Sequence, residues 1–276
     1  MRILVTSAGK ANGDGYGAVL VFDRDGQLTG PFSGDPRITD PRGMAVDPSG
    51  QLVYLNSGDD RMLALDLHGN MVRDSGPIPG LDPGGGEFAP DGRYCVTLRR
   101  RRAILAVDPV LDQPGELLVP EGIVPFPRGF GFGTGGRLYL SSGVAPSGQG
   151  DNTIVVFDRP GGPPRTLVTD PELSPLDLKI APNGNIVVAS QSPFIADDPV
   201  VSLREYDPVS GRLVRVFTPA RTVGFRTPRG LRFGPDGRLY CVGKDMVVAF
   251  DFETGGFIGP VLIYGRLSGQ AVVFVP

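Results

Sequence analysis

Short apolar runs and turn residues alternate along the whole chain in a long repeat. One ten-residue phrase recurs, in which apolar residues occupy alternate positions before a glycine-containing turn. Its copies are PRGMAVDPSG from Pro41, PGGGEFAPDG from Pro83, PRGFGFGTGG from Pro127, PLDLKIAPNG from Pro175 and PRGLRFGPDG from Pro228. Alternation with period two predicts β-strands. A repeat of about 40–50 residues is typical of propellers and solenoids.

Each phrase is followed by a second β-rich run and by a third that ends in aspartate. These aspartates are Asp66, Asp108, Asp158, Asp207 and Asp251. A sixth copy is divided between the chain ends: LSGQAVVFVP reads as its opening phrase, and MRILVTS and VLVFD supply the following runs. Pairing of the two ends removes the open sheet edges. We therefore predict an all-β, six-bladed propeller with four-stranded blades, formed by residues 1–276 as one domain and closed by strand 269–275.

Composition and charge narrow the choice of partners and environment. The chain has 41 glycines and 28 prolines, 40% hydrophobic and 21% charged residues, and a formal net charge of −3. This balance favours a globular domain rich in turns and gives no reason to expect nucleic acid as a partner. No apolar stretch has the length of a membrane span or of a signal peptide, so we expect a cytoplasmic protein. We also expect it to be a monomer. Cys95 and Cys241 lie in apolar runs on different blades and are expected to be free, buried thiols.

The repeated phrase Pro-x-Gly-apolar-x-apolar-x-Pro-x-Gly, with its Asp-terminated third strand, resembles the NHL-repeat propellers. More broadly it is similar to the senescence-marker/gluconolactonase-like and virginiamycin B lyase-like families. The resemblance covers essentially the whole chain and implies the fold, but these families include scaffolds, lactonases and lyases. Gluconolactonase-like enzymes hold a divalent metal with a Glu, Asn and Asp set, for which Glu87, Asn56 and Asp177 are the candidates here, in motif contexts that differ from the family's. A bound Ca²⁺, Mg²⁺ or Zn²⁺ is therefore one of the open alternatives.

The virginiamycin-type lyases rely on a histidine near the central funnel. The one histidine of this chain, His68, lies in the turn DLHGN, which we place on the opposite face of the disc. The resemblance to the lyases therefore does not include this histidine.

Four charged residues interrupt the small residues of the innermost strands. Numbering the divided blade as the first, the third and fifth residues after the opening prolines are mostly large and apolar and should pack between blades. The second and fourth should then face the central channel, and most are glycine or alanine. The exceptions are Glu87 on blade 3, Asp177 and Lys179 on blade 5, and Arg232 on blade 6. They either form salt bridges that fix the blades or set the charge and pKa of a site in the channel.

Three arginines occur at equivalent positions where the chain enters the innermost strands. Arg42, Arg128 and Arg229 belong to PRG phrases on blades 2, 4 and 6. Converging at the top mouth of the channel, they can clamp a carboxylate or phosphate. The alternative is that each arginine pairs with a nearby carbonyl or aspartate. The run Arg99–Arg102 is interpreted separately, as a solvated loop paired with neighbouring acids.

Two functions remain open from the sequence. The first is a small-molecule enzyme of the lactonase or lyase type, with Glu87, Asp177 and Lys179 in acid–base roles. Its anionic substrate would be held by Arg42, Arg128, Arg229 and Arg232 in a funnel roofed by the loops 8–17, 143–152 and 190–200. The second is a non-catalytic propeller that binds a ligand or a protein.

Overall fold

A computed structural model describes residues 1–9, 17–144, 150–192 and 199–276. Within these ranges, 24 strands form six four-stranded antiparallel sheets, which confirms the predicted six-bladed all-β propeller. Parts of the loops predicted to roof the funnel, residues 10–16, 145–149 and 193–198, lie outside the described residues. No helix within the described ranges has the length and apolar character needed to cross a membrane.

The blades are numbered from the divided one, with strands given from the axis outwards. Blade 1 contains β24 (Gly269–Val275), β1 (Arg2–Ser7), β2 (Ala18–Phe22) and β3 (Leu28–Pro31). Blade 2 contains β4 (Met44–Val46), β5 (Leu52–Ser57), β6 (Arg61–Asp66) and β7 (Met71–Asp74). Blade 3 contains β8 (Pro83–Phe88), β9 (Tyr94–Leu98), β10 (Ala103–Val107) and β11 (Glu116–Val119).

The other three blades repeat this order. Blade 4 contains β12 (Pro127–Phe132), β13 (Leu138–Val144), β14 (Gly150–Phe157) and β15 (Pro164–Thr169). Blade 5 contains β16 (Pro175–Ile180), β17 (Ile186–Ser192), β18 (Val200–Tyr206) and β19 (Leu213–Phe217). Blade 6 contains β20 (Gly230–Phe233), β21 (Leu239–Val242), β22 (Met246–Phe250) and β23 (Phe257–Ile263). Two short 3₁₀ turns, Thr134–Gly136 and Arg221–Val223, lie in connections.

The ring is closed by the two chain ends, as predicted. Strand β24 pairs antiparallel with β1, with Arg2 opposite Val275 and Val5 opposite Val272. The Thr6 hydroxyl accepts a hydrogen bond from the Ala271 amide at 2.9 Å and donates one to the Arg42 carbonyl at 2.7 Å. The closing blade is thereby connected to the next one.

In blades 2 to 6 the turn between the first two strands contains glycine, and in most of them also aspartate or asparagine. In blade 2 the Asp47 carboxylate accepts the amides of Gln51 and Leu52 at 2.8 and 2.7 Å. Glycines close the equivalent turns with positive φ, +88° at Gly92 and +85° at Gly184, a conformation that other residues adopt at a cost. These turns set the length of each innermost strand and hence the depth of the channel.

The small residues of the innermost strands correct one prediction. The large residues at the third position, such as Met44, Phe130 and Leu178, are buried between blades as expected. However, Ala45 is also buried between blades, and a Cβ atom at Gly43 would lie 2.5 Å from the Gly84 carbonyl oxygen of the next blade. Both faces of an innermost strand therefore pack against neighbouring blades. Close approach of the blades, rather than crowding at the axis, requires the small residues.

Candidate functional site

The four charged residues of the innermost strands meet in the central channel. The Lys179 ammonium lies 3.2 Å from Oε2 of Glu87 and 3.8 Å from Oδ1 of Asp177. The Arg232 guanidinium lies 3.0 Å from the same Glu87 oxygen. Blades 3, 5 and 6 are thus joined across the channel by one cluster, hereafter the base cluster (Glu87, Asp177, Lys179 and Arg232).

The base cluster also satisfies backbone groups on the inner edges of the strands. Asp177 Oδ2 accepts the Leu231 amide of blade 6 at 2.8 Å, and Oδ1 accepts the amide of Leu178 at 2.9 Å. Arg232 Nη2 donates to the Met44 carbonyl of blade 2 at 3.0 Å. An innermost strand has no neighbour on its channel side, so these side chains take the place of a strand partner.

The two carboxyl groups of the base cluster differ in their affinity for protons. Burial raises the pKa of Asp177, and the Lys179 charge and two amide hydrogen bonds offset this only in part. Burial also disfavours the charged form of Glu87, but the charges of Arg232 and Lys179 outweigh it and lower the pKa. Two neighbouring carboxyl groups with pKa values moved in opposite directions are suited to different roles, one as a proton carrier and one as a permanent anion.

Above the base cluster the channel widens into a funnel of about 350 Å³. Arg42, Arg128 and Arg229 line it, so the structure brings the three arginines of the PRG phrases to one opening. Arg42 pairs with Asp40 at 2.8 Å, as the local-pairing alternative expects. No hydrogen bond or ion pair of the Arg229 guanidinium occurs among the described residues.

Burial lowers the pKa of both Arg128 and Arg229, and neighbouring guanidiniums lower it further. Arg99 and Arg229 lower the pKa of Arg128, and Arg42 lowers that of Arg229, which the Asp40 carboxylate offsets only in part. Like charges therefore face one another around the opening. This repulsion is unfavourable, and a bound anion would relieve it.

Sequence reasoning missed the contribution of Arg99 to the funnel. Gly84 stands where blades 2, 4 and 6 have arginine, and the Arg99 side chain lies over it, 3.2 Å from the position of a Cβ atom. Arg99 pairs with Asp82, and Arg101 pairs with Glu121 at 2.5 Å, so the predicted pairing of this run with acids is correct for both residues. Glycine instead of arginine at position 84 is the sequence signal from which the position of Arg99 in the funnel could have been predicted.

Six cationic side chains and two carboxylates line the funnel in the described part of the chain. The polar lining residues that the sequence had not placed in the funnel are Asp40, Thr97, Arg99, Thr227, Ser268 and Gln270. Glu87 lies behind Lys179 and Arg232 rather than on the funnel surface. The arrangement offers cationic groups to an anion at the mouth and a carboxyl with a raised pKa below it.

The three proposed metal donors do not form an oxygen cage. Asn56 is fully buried, its amide nitrogen donates to the Gly84 carbonyl at 3.0 Å and its oxygen accepts from the Tyr94 hydroxyl at 3.0 Å. Between Glu87 and Asp177 lies the Lys179 ammonium. Among the described residues no group of three or more His, Cys, Asp or Glu side chains is placed to hold a metal ion. The residues present therefore do not fit a divalent cation.

Comparisons with known proteins agree with the fold. Neither the protein-family models nor the curated protein sequences contain a match to this chain. A solved structure from a nidogen/laminin complex is similar with a TM-score of 0.75 and 15% identity, covering 98% of this chain and 97% of that one. A gluconolactonase from Xanthomonas campestris gives a TM-score of 0.68 at 17% identity, covering 98% and 88%.

Virginiamycin B lyase from Staphylococcus aureus gives a TM-score of 0.58 at 14% identity, covering 90% of this chain and 82% of that one. These similarities agree with the propeller fold of this chain. At such identities they carry the fold alone.

Proposed function

We propose that the chain is a small-molecule enzyme that binds an anionic substrate in the top funnel and acts on it by acid–base chemistry of the lactonase or lyase type. The observation that carries this proposal is the polarity of the funnel. Among the described residues, the Arg229 guanidinium at its mouth has no ion pair, and a buried carboxyl with a raised pKa lies beside an ammonium at its base. The gluconolactonase and lyase propellers of similar fold are consistent with such chemistry.

The proposed residues have separate roles. Asp177 acts as the general base, because burial brings its pKa closer to neutral than that of an exposed aspartate. Lys179 and Arg232 face the funnel and stabilise negative charge that develops on the substrate. Glu87, held by both cations, stays ionised and positions them. Arg42, Arg128 and Arg229 bind the anionic group of the substrate.

Hydrolysis of a lactone illustrates the sequence of proton transfers. Asp177 takes a proton from water while the water oxygen bonds to the carbonyl carbon, and the carbonyl electron pair moves to an oxyanion beside Lys179. The oxyanion then collapses, the ring carbon–oxygen bond breaks, and the leaving alkoxide takes the proton from Asp177. Water is the only co-reactant, and the product is a hydroxy acid. In an elimination the same carboxylate would take a proton from carbon.

A screen of lactones and other small anionic esters, followed by Asp177→Asn, tests the proposal. Loss of a general base lowers turnover by about 10²–10⁴-fold. Asp25→Asn is the matched control, because the Asp25 side chain is exposed and lies 3.8 Å from the equally exposed Arg24, outside the funnel. Turnover that Asp177→Asn leaves unchanged would contradict the assignment.

The second candidate is a non-catalytic binding propeller. It is favoured by the mutual pairing of Glu87, Lys179 and Arg232, which gives these charges a structural role without chemistry. Under this alternative, alanine at each of the three lowers the melting temperature but leaves ligand affinity at the mouth unchanged. Parallel measurement of melting temperature and affinity separates the two candidates.

A further inference from the structure

Among the described residues, the arginines at the mouth of the funnel outnumber the carboxylates that pair with them. Four arginines line it, Arg42, Arg99, Arg128 and Arg229. Asp40 pairs with Arg42, and Asp82 pairs with Arg99. The Arg229 guanidinium has no hydrogen bond or ion pair within the described ranges. A half-buried guanidinium beside other guanidiniums is unfavourable unless a ligand pairs with it.

The positions of these guanidiniums indicate how many negative charges the bound anion carries. One guanidinium binds both oxygens of a carboxylate in a bidentate pair, so a single carboxylate is satisfied by Arg229 alone. The repulsion of Arg229 from Arg128 on one side and from Arg42 on the other would then be only partly relieved. A group with two negative charges and three or four oxygens can bind neighbouring guanidiniums together.

We propose that the funnel mouth selects a dianionic oxyanion, such as the phosphate or sulfate group of a small molecule, over a single carboxylate. This inference rests on the proposed function and specifies its substrate class. Arg229 makes the main contact, with Arg128 and Arg42 on either side of it. The base cluster then faces the part of the ligand that extends down the channel.

Titration calorimetry with simple ions tests this selection. The wild-type chain is titrated at about pH 8 with sulfate, inorganic phosphate or acetate at matched ionic strength. At this pH phosphate is mainly a dianion. Sulfate and phosphate are expected to bind at least about tenfold more tightly than acetate, because they pair with a second guanidinium. Equal affinities for sulfate and acetate overturn the inference.

Three variants locate the binding. Arg229→Gln is expected to weaken sulfate binding about 10- to 100-fold, the loss for a hydrogen bond to a charged group. Arg24→Gln, on an exposed turn with a side chain 80% accessible, is the matched control and leaves affinity unchanged. Asp40→Asn frees Arg42 from its ion pair and should tighten sulfate binding. Asparagine tolerates the positive φ of +43° at this position.

The outcomes separate this inference from the proposed function. Sulfate binding that Arg229→Gln does not weaken contradicts the inference, because the site would then lie elsewhere. Preferential binding of a monocarboxylate through Arg229 also contradicts it, but leaves the proposed enzymatic role intact. That role depends on the response of turnover to Asp177→Asn, which does not require a dianion.

Discussion

Replacing Glu87 by glutamine probes how strongly the base cluster stabilises the fold. One Glu87 oxygen pairs with both Lys179 and Arg232, at 3.2 and 3.0 Å, and the three side chains are 20%, 11% and 21% exposed. Removing one partner of a buried ion pair costs about 3–5 kcal/mol. Glutamine keeps one acceptor oxygen, and Asp177 stays near Lys179, so we expect a loss of about 2–3 kcal/mol. For a chain of this size the melting temperature then falls by about 5–10 °C.

Thermal unfolding followed by circular dichroism and calorimetry at neutral pH measures this change, with Asp25→Asn as the exposed control. Above the unfolded-state pKa of 4.5 the stabilisation by Glu87 is fully present, because its pKa in the folded state is lower. The difference between wild type and Glu87→Gln should therefore shrink as the pH falls through that lower value. A Glu87→Gln melting temperature within about 1 °C of wild type at neutral pH would refute the reasoning, since such a shift is below about 0.5 kcal/mol.

Three further predictions concern the ring, the thiols and metal ions. Deleting residues 268–276 removes β24 and exposes the edge of β1, so we expect aggregation or unfolding; a soluble monomer with unchanged melting would count against closure by the chain ends. Cys95 and Cys241 are free and buried, and burial raises the pKa of Cys95 to about 12. A reducing agent should therefore change neither the intact mass nor the melting temperature. A mass increase of two hydrogens would reveal a disulfide. Lys179 lies between Glu87 and Asp177, so EDTA or added Ca²⁺ should change neither the melting temperature nor the affinity for sulfate. A higher melting temperature with Ca²⁺ would show a metal site that the described residues do not form.

The fold could be predicted from the sequence because each blade carries the same local signals. Alternating apolar residues recur in every blade, glycine-containing turns follow the first strand in five of them, and the divided copy at the ends predicts the pairing of β24 with β1. Period two also correctly predicted that large residues such as Phe130 and Leu231 pack between blades. It failed for Gly43 and Ala45 because alternation sorts side chains into two faces but does not say what each face contacts. In a propeller both faces contact other blades.

The candidate site could be predicted only in part for a similar reason. The positions of Glu87 and Lys179 follow from the repeat, but their contact at 3.2 Å depends on the width of the channel, which no local pattern specifies. Arg99 lies outside the repeated phrase and reaches the funnel because Gly84 leaves space for it. Asn56 was considered as a metal donor, but its buried position is fixed by the hydroxyl of Tyr94 from the next blade. Contacts between blades determine these outcomes.

Anion binding in the funnel is the claim on which the proposed function depends, and a selenate soak tests it most directly. Selenate is a dianion of the same shape as sulfate, and its selenium gives an anomalous signal in a crystal. We predict an anomalous peak in the funnel, with selenate oxygens within hydrogen-bonding distance of the Arg229 guanidinium, and loss of this peak in Arg229→Gln crystals. Selenate peaks on the outer surface with none in the funnel of an accessible crystal would contradict it.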